Sequence, residues 1–320
     1  MDLDAELALR HEIFSALDQL VAAKGGALTR PELFNFELHG SRLPLVDGQR
    51  GIRNPASFSS TLSVMSTPNG PYSDEVVGES LHSYAYTVGD INKGDNRKLR
   101  RSVETRLPMI FLQWIDVDGI RYVPIYPVYA IQDDPENRKI IIALDKKLLD
   151  VADPLHLSPV EKRYAQRVTE QRLHQPQFRS QVLIAYKKRC AVCRLARPEL
   201  LEAAHIIADK KLHGSAEIAN GLSLCRIHHA AFDTNLIGFS PDLRVHVGAT
   251  LRAAENEGPI LKFALRGLQS AELMVPETEQ YRPSPERLAE RFEEFRTAQP
   301  LTKVANMDVA SVESIPWGAE

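Results

Sequence analysis

The chain has 320 residues, 43% hydrophobic and 25% charged, which suits two ordinary globular cores and excludes a disordered tail protein. It has no run of eighteen apolar residues, and its start, MDLDAELALRHEIF, is acidic without a basic-flanked apolar segment. We therefore expect no membrane span and no secretory leader and, with only three cysteines, a reducing cytoplasmic setting. The net charge of −3 conceals two basic stretches: residues 158–212 hold 12 Lys and Arg against 5 Asp and Glu, and residues 93–106 hold 6 against 2. Such stretches either track phosphates, releasing counterions, or are solvated helix faces.

Over residues 4–24, Leu7, Ile13, Phe14, Leu17, Leu20 and Val21 recur at helical spacing, and Gly25-Gly26 ends the run. Thr29 reads as the cap of a second helix, with Pro31 in its first turn. From about 43 to 144, β-rich runs at 58–65, 83–88, 108–114, 121–130 and 139–143 alternate with Gly, Pro, Asn and Asp clusters. That spacing predicts a strongly bent sheet or small barrel, interrupted by one helix at 97–105. Residues 150–159, with two prolines, mark a boundary. A helical stretch at 160–189, broken near Pro176, then leads into the first cysteine. Beyond residue 233 the pattern predicts a hairpin at 236–247, a strand at 261–263 and a helix at 285–297 capped by Ser284. Residues 300–320 read as a loosely docked tail.

All three cysteines fall in one segment, CAVCRLARPELLEAAHIIADKKLHGSAEIANGLSLCRIHHAAFD, residues 190–233. Cys190 and Cys193 form a C-x2-C pair; Cys225 and His228 form a C-x2-H pair roughly thirty residues on. Two such knuckles can close a tetrahedral zinc site that clamps a small subdomain. The other readings are three cysteines packed as small hydrophobes, or a zinc ribbon with no catalysis. His205, Asn220 and His229 are not needed by that zinc. A His, an Asn in an NGL turn and a His just after C-x2-H resemble the HNH nucleases, which cut nucleic acid with one divalent metal on a ββα unit. The resemblance implies that His205 activates water and that Asn220 holds the loop or helps bind metal. It makes His229 the metal ligand from the helix, with Mg2+ or Mn2+ as the ion; Asp233, one helical turn on along the same face, is either a further ligand or a residue that orients His229. Neighbours 100° apart on a helix let His228 face the zinc while His229 faces the active site. One departure stands out: many family members carry Asp or His just before the catalytic histidine, and this chain has Ala204. Water, Asp233, Asp209 or His213 would have to complete the shell.

The N-terminal half bears a second resemblance. GIRNPASFSSTLSVMSTPNGPYSDEVV at 51–77, SYAYTVGD at 83–90 and DNRKLRRS at 95–102 occur in the order found in SRA domains, which bind 5-methylcytosine in DNA. That family flips the modified base into a pocket and stacks it between aromatic rings. The resemblance makes Tyr72 and Tyr86 the stacking rings and Glu75, or its neighbour Asp74, the carboxylate on the base edge. Residues 59–63 would border the methyl group, and Arg53 and Arg97 would lie nearest DNA. The plainer alternatives are ordinary core tyrosines and a solvated arginine face.

The expected fold class is α+β. An SRA/PUA-like bent sheet or barrel with N-terminal helices occupies 1–150, a helical linker 151–189, a zinc-stabilised ββα-metal (HNH) domain 190–298 and a tail 299–320. The implied activity is endonuclease cleavage of double-stranded DNA carrying 5-methylcytosine or 5-hydroxymethylcytosine. A homodimer would supply two active sites for two strands. The rivals are an HNH endonuclease reading unmodified sequence or another modification, and a non-catalytic modified-DNA-binding protein.

Overall fold

The computed structural model describes residues 1–66, 76–77 (backbone only), 81–154, 156–211, 214–254 and 258–299. Helix α1 (Leu3–Lys24) starts where Asp2 accepts from the Ala5 amide and ends at Gly25, whose φ of 81° suits glycine. Its buried Arg10 is held by Glu6 and donates to the carbonyls of Ser60, Thr61 and Pro108, tying the helix to the sheet. Helix α2 (Arg30–Phe34) carries the expected cap at Thr29, reciprocated by Glu32. A short hairpin follows, β1 (Glu37–Leu38) and β2 (Ser41–Arg42).

Seven strands then form one sheet: β3 (Ile52–Arg53), β4 (Ser63–Met65), β5 (Val76–Val77), β6 (Leu81–Ala85), β7 (Met109–Asp116), β8 (Ile120–Asp134) and β9 (Lys139–Ala143). Their order is β3-β4-β7-β8-β9-β6-β5; β4 and β7 run parallel and the other pairs antiparallel. The 15-residue β8 pairs with β7 on one side and β9 on the other. Register shifts between Met109 and Phe111 and between Ala130 and Gln132 bend it, so the sheet curls into a half-barrel. Ile13, Phe14 and Leu17 of α1 pack with Leu62, Ile110 and Leu112. In a second cluster Leu99 of α3 (Gly94–Thr105), with Val168 and Leu173, packs with Phe111, Ile125 and Ile142.

One polar side chain is out of place in this core. His82 of β6 is buried beside the Phe111 ring, centroids 5.4 Å apart, and neither ring nitrogen has a partner among the described residues. Burial, then the nearby His174, pushes its pKa down to about 4. Between that value and the ordinary value near 6.5, the unfolded chain binds a proton that the folded chain refuses. Stability therefore falls as pH drops through this window, by about 2 kcal/mol at pH 5 relative to pH 7. His82→Phe should remove that loss and raise the urea midpoint at pH 7. An identical pH 7-to-5 drop in wild type and variant would show that His82 is not the group responsible.

Helix α4 (Pro159–Thr169) is capped by Ser158 and passes through a π-helical turn (Glu170–His174) into α5 (Gln175–Ala185). The expected break at Pro176 does not occur. Pro176 sits in the first turn of α5, where it has no amide to lose, and the π turn just upstream absorbs the mismatch. Strands β10 (Leu201–His205) and β11 (Gly221–Cys225) form an antiparallel hairpin, followed at once by α6 (Arg226–Asp233). The hairpin β12 (Ile237–Phe239) and β13 (Val245–Val247) follows, then α7 (Ala249–Ala253). Residues 261–263 are not a strand: they lie in a π-helical turn (Ile260–Leu265) with only Leu261 buried, and the Ala264 carbonyl meets His228. Helix α8 (Pro285–Thr297) starts at Ser284 as expected. The tail at 300–320 lies outside the described residues.

Candidate active site and metal centre

The cysteine knuckles meet. Sγ of Cys190, Cys193 and Cys225 and Nδ1 of His228 all lie within 4.8 Å of one another. His228 Nδ1 is 3.4 Å from Cys190 Sγ and 3.1 Å from Cys225 Sγ. Its Nε2 is 2.8 Å from the Ala264 carbonyl, which fixes the proton on Nε2 and leaves Nδ1 free to ligate. The Cys225 amide points at Cys190 Sγ, 3.3 Å away, as an N–H donor to a thiolate would. The Cys190 thiol is drawn down by hydrogen bonds with Cys193 and Cys225, and Cys193 is pushed up by its bond to Cys190. The spacing and the soft donor set fit a tetrahedral Zn2+. This is the one group of three or more metal-ligating side chains so gathered among the described residues.

The second cluster lies on the other side of α6. His228 turns to the cysteines and is 1% exposed, while its neighbour His229 turns toward the hairpin. His229 Nδ1 is 2.7 Å from Glu202 of β10, and its Nε2 is 3.4 Å from Asp233, one turn along α6. Glu202 was not among the residues singled out from sequence. It stands two positions before Ala204, and the two-residue period of a strand puts both on one face. Ala204 is fully buried in the core, so a carboxylate there would be buried too; Glu202, at the edge, reaches His229 instead. The available signal was the strand parity of LEAAH.

His205 ends β10, opposite Gly221. Its ring stacks on Phe178 of α5, centroids 4.0 Å apart at 17°. Its Nε2 is buried without a hydrogen-bond partner among the described residues. Burial lowers its pKa, opposed by Asp209 and Asp233 and assisted by His229. It is thus neutral at neutral pH, as a base must be. Asn220 is fully buried, and its amide is committed to the loop: Oδ1 accepts from Ile207 N, and Nδ2 donates to the Ile207 and Ser215 carbonyls, each at 2.9 Å. The amide thus clamps the loop, one of the two roles that the HNH resemblance implies for Asn220. Asp209 shares a hydrogen bond with Glu170, whose carboxyl is pushed up by burial and by Asp209. His213 lies outside the described residues.

In the N-terminal half, Tyr72, Asp74 and Glu75 also lie outside the described residues. Tyr86 cannot stack on a base as it stands. It is fully buried, and its hydroxyl donates to Asp133, which also accepts from Arg100. Of residues 59–63, Ser60, Thr61, Leu62 and Ser63 are core residues, whereas Ser59 lines the cavity beside α3. Arg53 Nε donates to the Pro44 carbonyl at 3.0 Å. Arg97 and Arg101, both exposed and without an ion pair among the described residues, border a cavity of about 670 Å³ with Lys98, Arg100 and Asp133. Asn96 pins the preceding loop to α3, accepting from the Thr87 amide at 2.9 Å and donating to its carbonyl at 3.0 Å.

Two antiparallel strands with a helix across them form a ββα-metal fold, and Glu202 of β10 meets His229 of α6 where they cross. Residues 190–240 match the HNH endonuclease family, so this half of the chain carries an HNH nuclease domain. Among solved structures, the "Modification dependent TagI restriction endonuclease" aligns over 80% of this chain and 87% of its own, at 19% identity and a TM-score of 0.30. No curated protein matches the chain. No helix among the described residues is long and apolar enough to cross a membrane.

Proposed function

We propose that this protein is a modification-dependent endonuclease, in which the half-barrel reads a modified cytosine in double-stranded DNA and the HNH domain cuts the backbone. The observation that carries the nuclease reading is His229 held between Glu202 and Asp233, with His205 ending the strand that carries Glu202. In the mechanism we infer, His205 accepts a proton from the attacking water through a ring nitrogen. Glu202, His229 and Asp233 offer hard oxygen and imidazole donors suited to Mg2+ or Mn2+, which when bound stabilises charge on the leaving 3′ oxygen. Asn220 keeps the loop between β10 and β11 from shifting, so His205 stays aligned. The orphaned Nε2 of His205 supports this assignment, since a buried polar atom without a partner is costly unless a ligand or water completes it.

The reader assignment rests on the SRA resemblance and on the free arginines. Arg97 and Arg101 lie one helical turn apart and can neutralise neighbouring phosphates, and Tyr72 with Asp74 or Glu75 supplies a stacking ring and an acid for a flipped 5-methylcytosine or 5-hydroxymethylcytosine. We divide the chain accordingly into a reader (1–150), a linker (151–189), an HNH domain (190–298) and a tail. Two chains meeting on DNA would cut both strands.

The test is cleavage of paired plasmids, unmodified and cytosine-methylated, with Mg2+, Mn2+ or EDTA. Metal-dependent cutting of the methylated plasmid alone is expected. Equal cutting of both would remove the modified-base reader, and no cutting under any condition would favour a binding-only role.

A further inference from the structure

A histidine used as a base is ordinarily oriented by a hydrogen bond to its second nitrogen. His205 has a different support. Its ring lies nearly parallel to that of Phe178 at 4.0 Å, the closest ring pair described, and its buried Nε2 has no partner among the described residues. The approach is built into the backbone. His205 pairs across the hairpin with Gly221, and a Cβ on Gly221 would fall 2.4 Å from Val182 and 3.0 Å from Phe178. The missing side chain is what lets α5 lie this close to the end of β10.

Phe178 is also anchored from the other direction. Arg172, in the π turn, donates to the Leu144 and Tyr126 carbonyls of the half-barrel. Gln177, one residue before Phe178, accepts from Gln113 of β7 at 2.8 Å. Leu173 packs in the half-barrel core, and Phe178 in the nuclease core. The π turn sets the rotation between those two halves of one continuous helix, and so sets which face of α5 meets His205.

We propose that Phe178 is a positioning residue for His205: its ring holds the imidazole plane by stacking, from a helix braced against the half-barrel. This rests on the reading of His205 as the base. The consequence is a link between the halves, because a displacement of the half-barrel edge at Gln113 or Leu144 reaches the imidazole through α5 without passing through the zinc.

The experiment compares full-length Phe178→Leu and Val182→Ala with wild type, measuring kcat and KM on the cleaved plasmid, thermal midpoint and bound zinc. Val182 packs on the same glycine one helical turn away, so its truncation gives the structural effect of a cavity at this seam. Phe178→Leu should lower kcat roughly tenfold to a hundredfold with KM within about twofold and zinc retained. Val182→Ala should lower the thermal midpoint and leave kcat within about twofold. Phe178→Met repeats the measurement with an unbranched side chain if the leucine variant fails to hold zinc. The proposal is overturned if the variant at 178 keeps wild-type kcat, if its loss falls on KM, or if Val182→Ala loses as much kcat. His205→Ala in the same series separates the two ideas: a variant that cuts within about tenfold of wild type removes His205 as base, whereas a strongly impaired His205→Ala beside an unaffected Phe178→Leu removes only the stacking role.

Discussion

His205→Ala should lower the rate of DNA cleavage by about 10²- to 10⁴-fold while leaving DNA affinity within about twofold. The size follows from its chemistry. A base must be unprotonated to act, and burial holds His205 below its ordinary value while Asp209 and Asp233 oppose that burial. Affinity should hold because phosphate contacts dominate DNA binding, and the free arginines on α3 are far along the chain from β10. His229→Ala is the useful companion. It removes the group between Glu202 and Asp233, leaving two carboxylates without their shared partner, so its defect should be relieved in part by raised Mn2+. Single-turnover cleavage with a parallel gel-shift titration checks both. Cleavage by His205→Ala within tenfold of wild type would assign the base elsewhere, and loss of binding in step with cleavage would make His205 structural.

What could be read from the residues alone depended on whether the physics was local. The zinc knuckles are local: two ligand pairs at fixed spacing need only a tight turn each, and Arg194, at φ 64°, makes the first of them. The split between His228 and His229 followed from 100° per residue on a helix, and both side chains point as that rotation requires. The caps at Thr29, Ser158 and Ser284 were equally legible, since each needs one side chain and one amide. Strand parity puts Glu202 on the face of Ala204, but its contact with His229 depends on where β10 and α6 cross, which no spacing along the chain encodes. Residues 261–263 misled for a related reason: a short apolar run fits strand or helix, and the contact of Ala264 with His228 decided it. Pro176 misled because its cost depends on whether its missing amide had an acceptor, and the π turn removes that demand. Tyr86 matched a family position, but whether a ring faces a pocket or a core is set by packing, and here Asp133 takes its hydroxyl.

Removing the zinc should unfold the HNH half and spare the half-barrel. Structural Zn2+ in small domains contributes on the order of 10 kcal/mol or more of binding free energy, and that energy is folding energy because the unfolded chain has no preformed site. The four ligands come from two places: Cys190 and Cys193 precede β10, whereas Cys225 ends β11 and His228 lies in the first turn of α6. A metal held by these four would clamp the strand pair to the helix and fix the rotation of α6 that aims His229 at Glu202. The half-barrel has its own apolar clusters on α1 and α3, with no cysteine in them. Cys225→Ser should accordingly lose bound zinc, and limited proteolysis of the full-length variant should begin within 190–298 while 1–150 stays protected. A strong chelator applied to wild type at raised temperature should give the same pattern, and readded Zn2+ should reverse it where Mg2+ does not. The pH sense is fixed as well: ligation needs thiolates, so acid favours release, and zinc loss should become easier as pH falls below neutrality. A Cys225→Ser chain that holds no zinc yet melts with wild-type cooperativity and midpoint would mean that the apolar core of Leu201, Leu222, Leu224 and Phe232 carries this half alone. In that case the cysteines would owe their proximity to packing, and the aim of His229 would have to come from the Glu202 contact itself.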